Sequence, residues 1–131
     1  MKTFAILVRG IPGSGKSIFG QCLAEYLNVP KVETDDYFIK DDNYEFIPEL
    51  LPVAHEYCQL AASEAAKKHT GVVVCNTFVK LWEMDWYFKN FNTVLVMKKP
   101  LRVYHNTHNV PTETIEKMIS EWEDCDGELR V

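Results

Sequence analysis

The sequence predicts an α/β domain in which a short, mostly parallel sheet is covered by helices on both faces, giving three layers. Three observations carry this expectation. Apolar runs of strand length recur at residues 4–8, 72–75 and 93–97. Segments with helical spacing separate them. The glycine-rich stretch Gly10-Ile11-Pro12-Gly13-Ser14-Gly15-Lys16-Ser17 joins the first strand to the first helix. Strand alternating with helix is the pattern of a parallel sheet. At 131 residues the chain has the length of one domain, residues 1–131, with a core of its own.

In order, residues 4–8 are the first strand. A helix over 17–27 carries Ile18, Cys22, Leu23 and Tyr26 at spacings of three and four and stops near Asn28, with Pro30 just beyond. Residues 31–34 form a second, short strand. Asp35 and Asp36 stand at its end, where a parallel sheet presents its functional groups. Residues 40–52 are polar, acidic and aromatic by turns, punctuated by Pro48 and Pro52, and read as irregular. A long helix starts near Pro52, is alanine-rich from Val53 to Lys68 and carries His55 and His69, with Gly71 as its stop. Val72-Val73-Val74-Cys75 is an unbroken apolar run, as expected of a strand covered on both faces. Residues 80–91 read as a further helix, in which Leu81, Met84 and Phe88 set the spacing and Trp82, Trp86 and Tyr87 add bulk. Residues 93–97 are the fourth strand. The basic and polar stretch 98–109 reads as a lid-like connection. The last helix, about 112–124, has Ile115, Met118, Ile119 and Trp122 as one stripe that packs on the sheet. No internal repeat or second domain is visible.

Composition narrows the function classes. The net charge of −5 gives no broad basic footprint for nucleic acid. Cys22, Cys58, Cys75 and Cys125 have no C-x-x-C spacing and read as free thiols of a reducing compartment. The first apolar run is too short for a signal peptide, and no stretch is long enough to cross a bilayer, so the cytoplasm is the expected location.

The chemistry concentrates in G-x-x-x-x-G-K-S. Glycines let backbone N–H groups turn inward on phosphate oxygens, and the following helix aims its positive end at the same charge. Lys16 reaches the β- and γ-phosphates, and the Ser17 hydroxyl completes the shell of a magnesium ion. The stretch therefore predicts nucleotide binding, with Mg2+ beside the phosphates. His105 and His108 lack a third ligand nearby in sequence and read as lid histidines rather than a metal pair. Phe38, Tyr44, Phe46, Trp82, Trp86 and Tyr87 are either core or a surface on which a base stacks.

Residues 10–17, Thr34-Asp35-Asp36-Tyr37-Phe38, Cys75-Asn76-Thr77 and Val110-Pro111 leading into Ile115-Glu116-Lys117-Met118 together resemble the P-loop polynucleotide-kinase-like family. Tyr44-Glu45-Phe46, Ala54-His55-Glu56 and Trp82-Glu83-Met84 resemble its ATP-binding small-kinase branch. The resemblance covers about residues 4–123. It implies transfer of the γ-phosphoryl group of ATP to a hydroxyl, in that family the 5′-hydroxyl of a polynucleotide. It also implies Asp35 as the general base and a sheet order of 2-3-1-4. Asp35-Asp36 without the resemblance reads equally as a turn or helix cap.

Three positions depart from the family. Cys75 stands where its members carry aspartate after the third strand. Phe38 stands where some carry an acceptor-gripping arginine, and His105 where the lid carries arginine. Arg102, with Lys98 and Lys99, is the lid cation expected to substitute. His105 does so only when protonated. Two other readings therefore stay open: a nucleotide-binding module with weak or lost transfer, and a kinase for a nucleoside, nucleotide or other metabolite. The sequence does not decide the oligomeric state.

Overall fold

The computed structural model describes residues 3–131. Strand β1 (Phe4–Arg9) is buried from Ala5 onward and feeds a glycine-rich turn into helix α1 (Lys16–Leu27). Asn28 closes α1 at φ 55, and its N–H reaches back to the Ala24 and Glu25 carbonyls. β2 (Lys31–Val32) is followed by a 3-10 turn, Thr34–Phe38, and by a small antiparallel hairpin of β3 (Ile39–Lys40) and β4 (Asn43–Tyr44). Pro52 lies in the first turn of α2 (Leu51–Lys68), where its missing N–H costs nothing. β5 (Gly71–Asn76) is buried along its whole length. A 3-10 turn at Leu81–Met84 leads into α3 (Asp85–Asn90), then come β6 (Thr93–Lys98), α4 (Thr112–Glu121) and β7 (Leu129–Arg130).

The main sheet runs β2-β5-β1-β6-β7, parallel throughout. Side chains alternate between its faces. Ala5, Leu7, Val72 and Val74 pack on one side with Cys58, Ala62, Met84 and Tyr87. Ile6, Val8, Val73 and Cys75 pack on the other with Ala24 and Val29. The register pairs Arg9 with both Asn76 and Lys98, so the three central strands end level. Their following turns, and the turn after β2, share one edge. A switch of direction in an α/β sheet at that edge is where ligands bind.

Several expectations need correction. The order 2-3-1-4 is not matched as it stands, because β7 adds a fifth strand outside β6. Residues 40–52 are not wholly irregular: they contain the second half of the hairpin and the turn Pro48–Leu50. On α1 the expected stripe is rotated, with Ile18 76% and Tyr26 88% exposed while Gly20 and Ala24 are buried. Small residues win there because the helix lies close to β5: a Cβ on Gly20 would stand 2.1 Å from Cys75 Sγ. The helix expected over 80–91 is a 3-10 turn followed by six residues of α3. On α4, Ile115 is buried but Ile119 is exposed, and Trp122 lies just past the helix. His69 caps α2 rather than lying in it.

Candidate functional site

The strand ends and the lid enclose a cleft of about 980 Å³. On one wall are Pro12, Gly13 and Gly15 to Ile18; on the floor, Glu33 to Asp35 and Cys75 to Thr77; on the other walls, Tyr44, Phe46 and His55, residues 104–111, and Lys117 and Met118 of α4. The glycine-rich loop and Asp35, separate in sequence, thus face one space.

The loop is held by backbone. Ser14 N–H donates to the Ile11 carbonyl at 3.1 Å, and Gly13 at φ 80 presents its own carbonyl outward, to the N–H groups of Tyr104 at 2.7 Å and His105 at 3.2 Å. A Cβ on Gly13 would stand 2.8 Å from the His105 carbonyl, so only glycine lets the lid lie this close. The Ser14 hydroxyl is buried without a partner among the described residues. Burial lowers the Lys16 pKa below its ordinary value, while Asp35 and Glu33 pull it back up.

Arg9 braces the strand that enters the loop. Fully buried, its guanidinium donates to the Phe78 carbonyl at 2.6 and 3.1 Å, to Val79 at 3.3 Å and to Glu123 at 2.7 Å. It also pairs with Glu128 at 3.0 Å and lies 4.2 Å from the centre of the Trp122 ring. Phe78 sits at φ 46, which a bulky side chain rarely adopts. Its ring packs edge-on against Tyr87, and its carbonyl is fixed by Arg9.

Asp35 lies in the 3-10 turn after β2, and that turn is pinned from β5. The Thr34 N–H donates to Asn76 Oδ1 at 2.8 Å, and Thr34 Oγ1 is 3.2 Å from His55 Nδ1. The Tyr44 hydroxyl donates to Asp35 Oδ1 at 3.1 Å. Burial and the Asp35 charge raise the Tyr44 pKa, so this phenol remains a donor at any working pH. The His108 ring stacks on Tyr44 at 3.8 Å with the planes 20° apart, and its Nε2 is 3.9 Å from Asp35 Oδ2. Asn106 closes the lid on itself through bonds to Val110 at 2.7 and 3.0 Å, and Asn109 takes φ 52 at the turn.

Of the cations expected in the lid, His105 faces the cleft, and Arg102 does not. The Arg102 guanidinium lies 5.7 Å from the Tyr104 ring centre, the Lys98 ammonium 3.6 Å from Asp124, and the Lys99 ammonium 5.4 Å from the Phe19 ring centre. Lys80 and Lys117, not singled out from the sequence, line the cleft instead. Tyr44 and Phe46 also line it, Phe38 is buried beside them, Trp86 and Tyr87 belong to the core side, and Trp82 is exposed outside the cleft.

Cys75 lines the cleft floor as a neutral thiol. Burial and then Glu33 push its pKa up to about 12, and its Sγ donates to the Lys16 carbonyl at 3.6 Å. The Ser17 hydroxyl donates to Glu33 Oε1, and Lys31 holds the other oxygen of that carboxylate at 2.7 Å. Hydroxyl and carboxylate oxygens suit magnesium, which takes few protein ligands and keeps water and phosphate for the rest. No cluster of three His, Cys, Asp or Glu side chains that could hold a metal occurs among the described residues. Sequence reasoning missed Glu33 and Arg9. The visible signals were a charge two residues before Asp35 and a charge ending an apolar strand.

No family model matches this chain. It is 33% identical over 134 residues to human NEDD4-binding protein 2, an alignment covering 90% of this chain and 8% of that protein. The chain therefore spans less than a tenth of this relative's length. Among solved structures it resembles a sugar kinase from Janibacter sp. HTCC2649, with TM-score 0.69, 14% identity, 98% of this chain and 83% of the other covered. At 14% identity this likeness is one of fold. It is also similar to a chain of the Pnkp1/Rnl/Hen1 RNA repair complex, with TM-score 0.67 and 16% identity over 92% of this chain and 44% of that one. Lys16, Ser17 and Asp35 line the same cleft. No helix of the described residues is long and apolar enough to cross a membrane.

Proposed function

We propose that this chain is a P-loop phosphotransferase that moves the γ-phosphoryl group of ATP to a hydroxyl, with the 5′-hydroxyl of a polynucleotide as acceptor. The observation that carries the reading is that Asp35 and the phosphate loop line one cleft. In this reading Asp35 accepts the proton of the acceptor hydroxyl, the acceptor oxygen bonds to the γ-phosphorus, and the bond to the β,γ-bridging oxygen breaks to release ADP. Residues 10–17 bind the phosphates by backbone N–H groups, and Lys16 stabilises charge on the transferring group. A magnesium ion held through Ser17 would neutralise the β- and γ-phosphate oxygens.

The polynucleotide acceptor is supported by the resemblance of Thr34 to Phe38 to the polynucleotide kinases and by the structural similarity to a chain of an RNA repair complex. Lys80 and Lys117 on the acceptor wall offer charge to the acceptor's own phosphates. A metabolite kinase is the second reading, favoured by the sugar-kinase similarity over 98% of the chain and by the aromatic lining that Tyr44 of the hairpin and Phe46 just after it give the cleft. A binding module without transfer is favoured by the neutral thiol at Cys75.

The test is transfer of labelled γ-phosphate, with magnesium, to a 5′-hydroxyl oligonucleotide beside a free nucleoside and simple sugars. Asp35→Asn is expected to lower turnover at least about 100-fold, the scale of a lost general base, with ATP binding kept. Lys16→Ala serves as the blank. Label on the small acceptors only would replace the polynucleotide by a metabolite. ATP binding with no labelled product would leave the binding module.

A further inference from the structure

We propose that His108 is a built-in competitor for the acceptor: its imidazole lies on the Tyr44 ring beside Asp35, where the flat ring of an acceptor would bring its hydroxyl to that carboxylate. The proposal rests on reading Asp35 as the base. It narrows the acceptor to a hydroxyl carried next to a planar ring, as at the end of a nucleoside or oligonucleotide.

The Tyr44 ring is a held platform. Its hydroxyl donates to Asp35 Oδ1 at 3.1 Å, and the buried Phe38 ring meets it edge-on with centres 6.4 Å apart. The His108 ring covers one face, with centres 3.8 Å and planes 20° apart. His108 Nε2 stands 3.9 Å from Asp35 Oδ2, beyond hydrogen-bond range. The stack, rather than a bond to the carboxylate, therefore seats the imidazole, and stacking of this kind accepts any flat ring. A ring that takes the same place lies as close to Asp35 as His108 does.

His108 comes on a short, preshaped arm. Asn106 Nδ2 donates to the Val110 carbonyl at 2.7 Å and the Val110 N–H donates back to Asn106 Oδ1 at 3.0 Å, which folds the turn that carries His108. The Tyr104 and His105 N–H groups on the Gly13 carbonyl tie the root of the arm to the glycine-rich loop. Elsewhere the arm is lightly held: residues 99–111 contain no helix or strand, and the His108 side chain is 34% exposed. Segments with few buried contacts open at low free-energy cost. Withdrawal of the arm frees the Tyr44 face without disturbing the sheet. Apparent affinity for a ring-bearing acceptor is then the intrinsic one scaled by the fraction of molecules whose platform is free.

The experiment measures transfer of labelled γ-phosphate from saturating ATP with magnesium while a free nucleoside or a 5′-hydroxyl oligonucleotide is varied. His108→Ala is expected to lower the KM of these acceptors about 2- to 10-fold, the scale of one lost aromatic stack. His108→Trp, which sets a larger ring on the same arm, is expected to raise it. In a Tyr44→Leu background both shifts are expected to disappear, since no platform is left to contest. Circular dichroism checks folding, and His108→Ser is read in the same way if the alanine variant does not fold. A KM that rises or stays unchanged in His108→Ala, or one that falls in His108→Trp, would overturn the proposal while leaving the transfer reading intact. No transfer to either acceptor by the unmodified chain would overturn the polynucleotide reading, and this proposal with it.

Discussion

The two walls of the cleft hold their functional groups in different ways. On the proposed donor wall, β1 and the glycine-rich loop are fixed by backbone hydrogen bonds, close approaches to glycine and one fully buried guanidinium. On the proposed acceptor wall, the Asp35 carboxylate is approached by side chains that themselves remain partly in water: a phenol from a two-residue strand and an imidazole from residues 104–111. Buried contacts of the first kind lose much when one atom changes, because nothing replaces the partner. Half-exposed contacts of the second kind lose less, since water substitutes. In the proposed reading, phosphate binding demands a fixed frame, whereas the wall around Asp35 is the part that substrates of different shape would test.

That contrast gives an order of effects. Arg9→Met removes the donors from three carbonyls and leaves Glu128 without its buried partner, so stability is expected to fall by about 3–5 kcal/mol. Chemical denaturation measures it, and a loss below about 1 kcal/mol would show that the donor wall is not braced this way. Gly20→Ala is expected to cost about 1–3 kcal/mol by overpacking against Cys75. Cys75→Ala in the same chain should return most of that cost, which a thermal melt of the single and double variants reads. Tyr44→Phe is the smallest. It removes one hydrogen bond to Asp35, and a change of about tenfold or less in transfer is expected, with melting temperature nearly unchanged. A loss as large as that of Asp35→Asn would erase the distinction between the walls.

The parts of the molecule that sequence made legible are those with local causes. β1, β5 and β6 announce themselves as apolar runs, the loop by its glycines, and Asp35 by its place after a short strand. What stayed hidden depends on partners far along the chain. Arg9 reads as a surface charge until Glu128, 119 residues away, is brought beside it. The buried face of α1 is set by its distance to β5, so Gly20 and Ala24 outrank the larger Ile18 and Tyr26 in a way no periodicity reveals. β2, β3, β4 and β7 are two residues each, too short to carry an alternating pattern. Sequence order also says nothing of side-chain direction: Lys98, Lys99 and Arg102 lie beside Asp124, Phe19 and Tyr104, while Lys80 and Lys117 reach the cleft from other elements.

Arg9 also bears on the time course of folding. Its partners span residues 78 to 128, so their meeting closes a loop over nearly the whole chain, and such contacts are rewarded only after the intervening elements have docked. Until then the guanidinium keeps its water. Drying it is accordingly a late event, and the strand that delivers Gly10 into the phosphate loop is sealed by the stretch from Trp122 to Glu128, which leaves the synthesising ribosome more than a hundred residues after it.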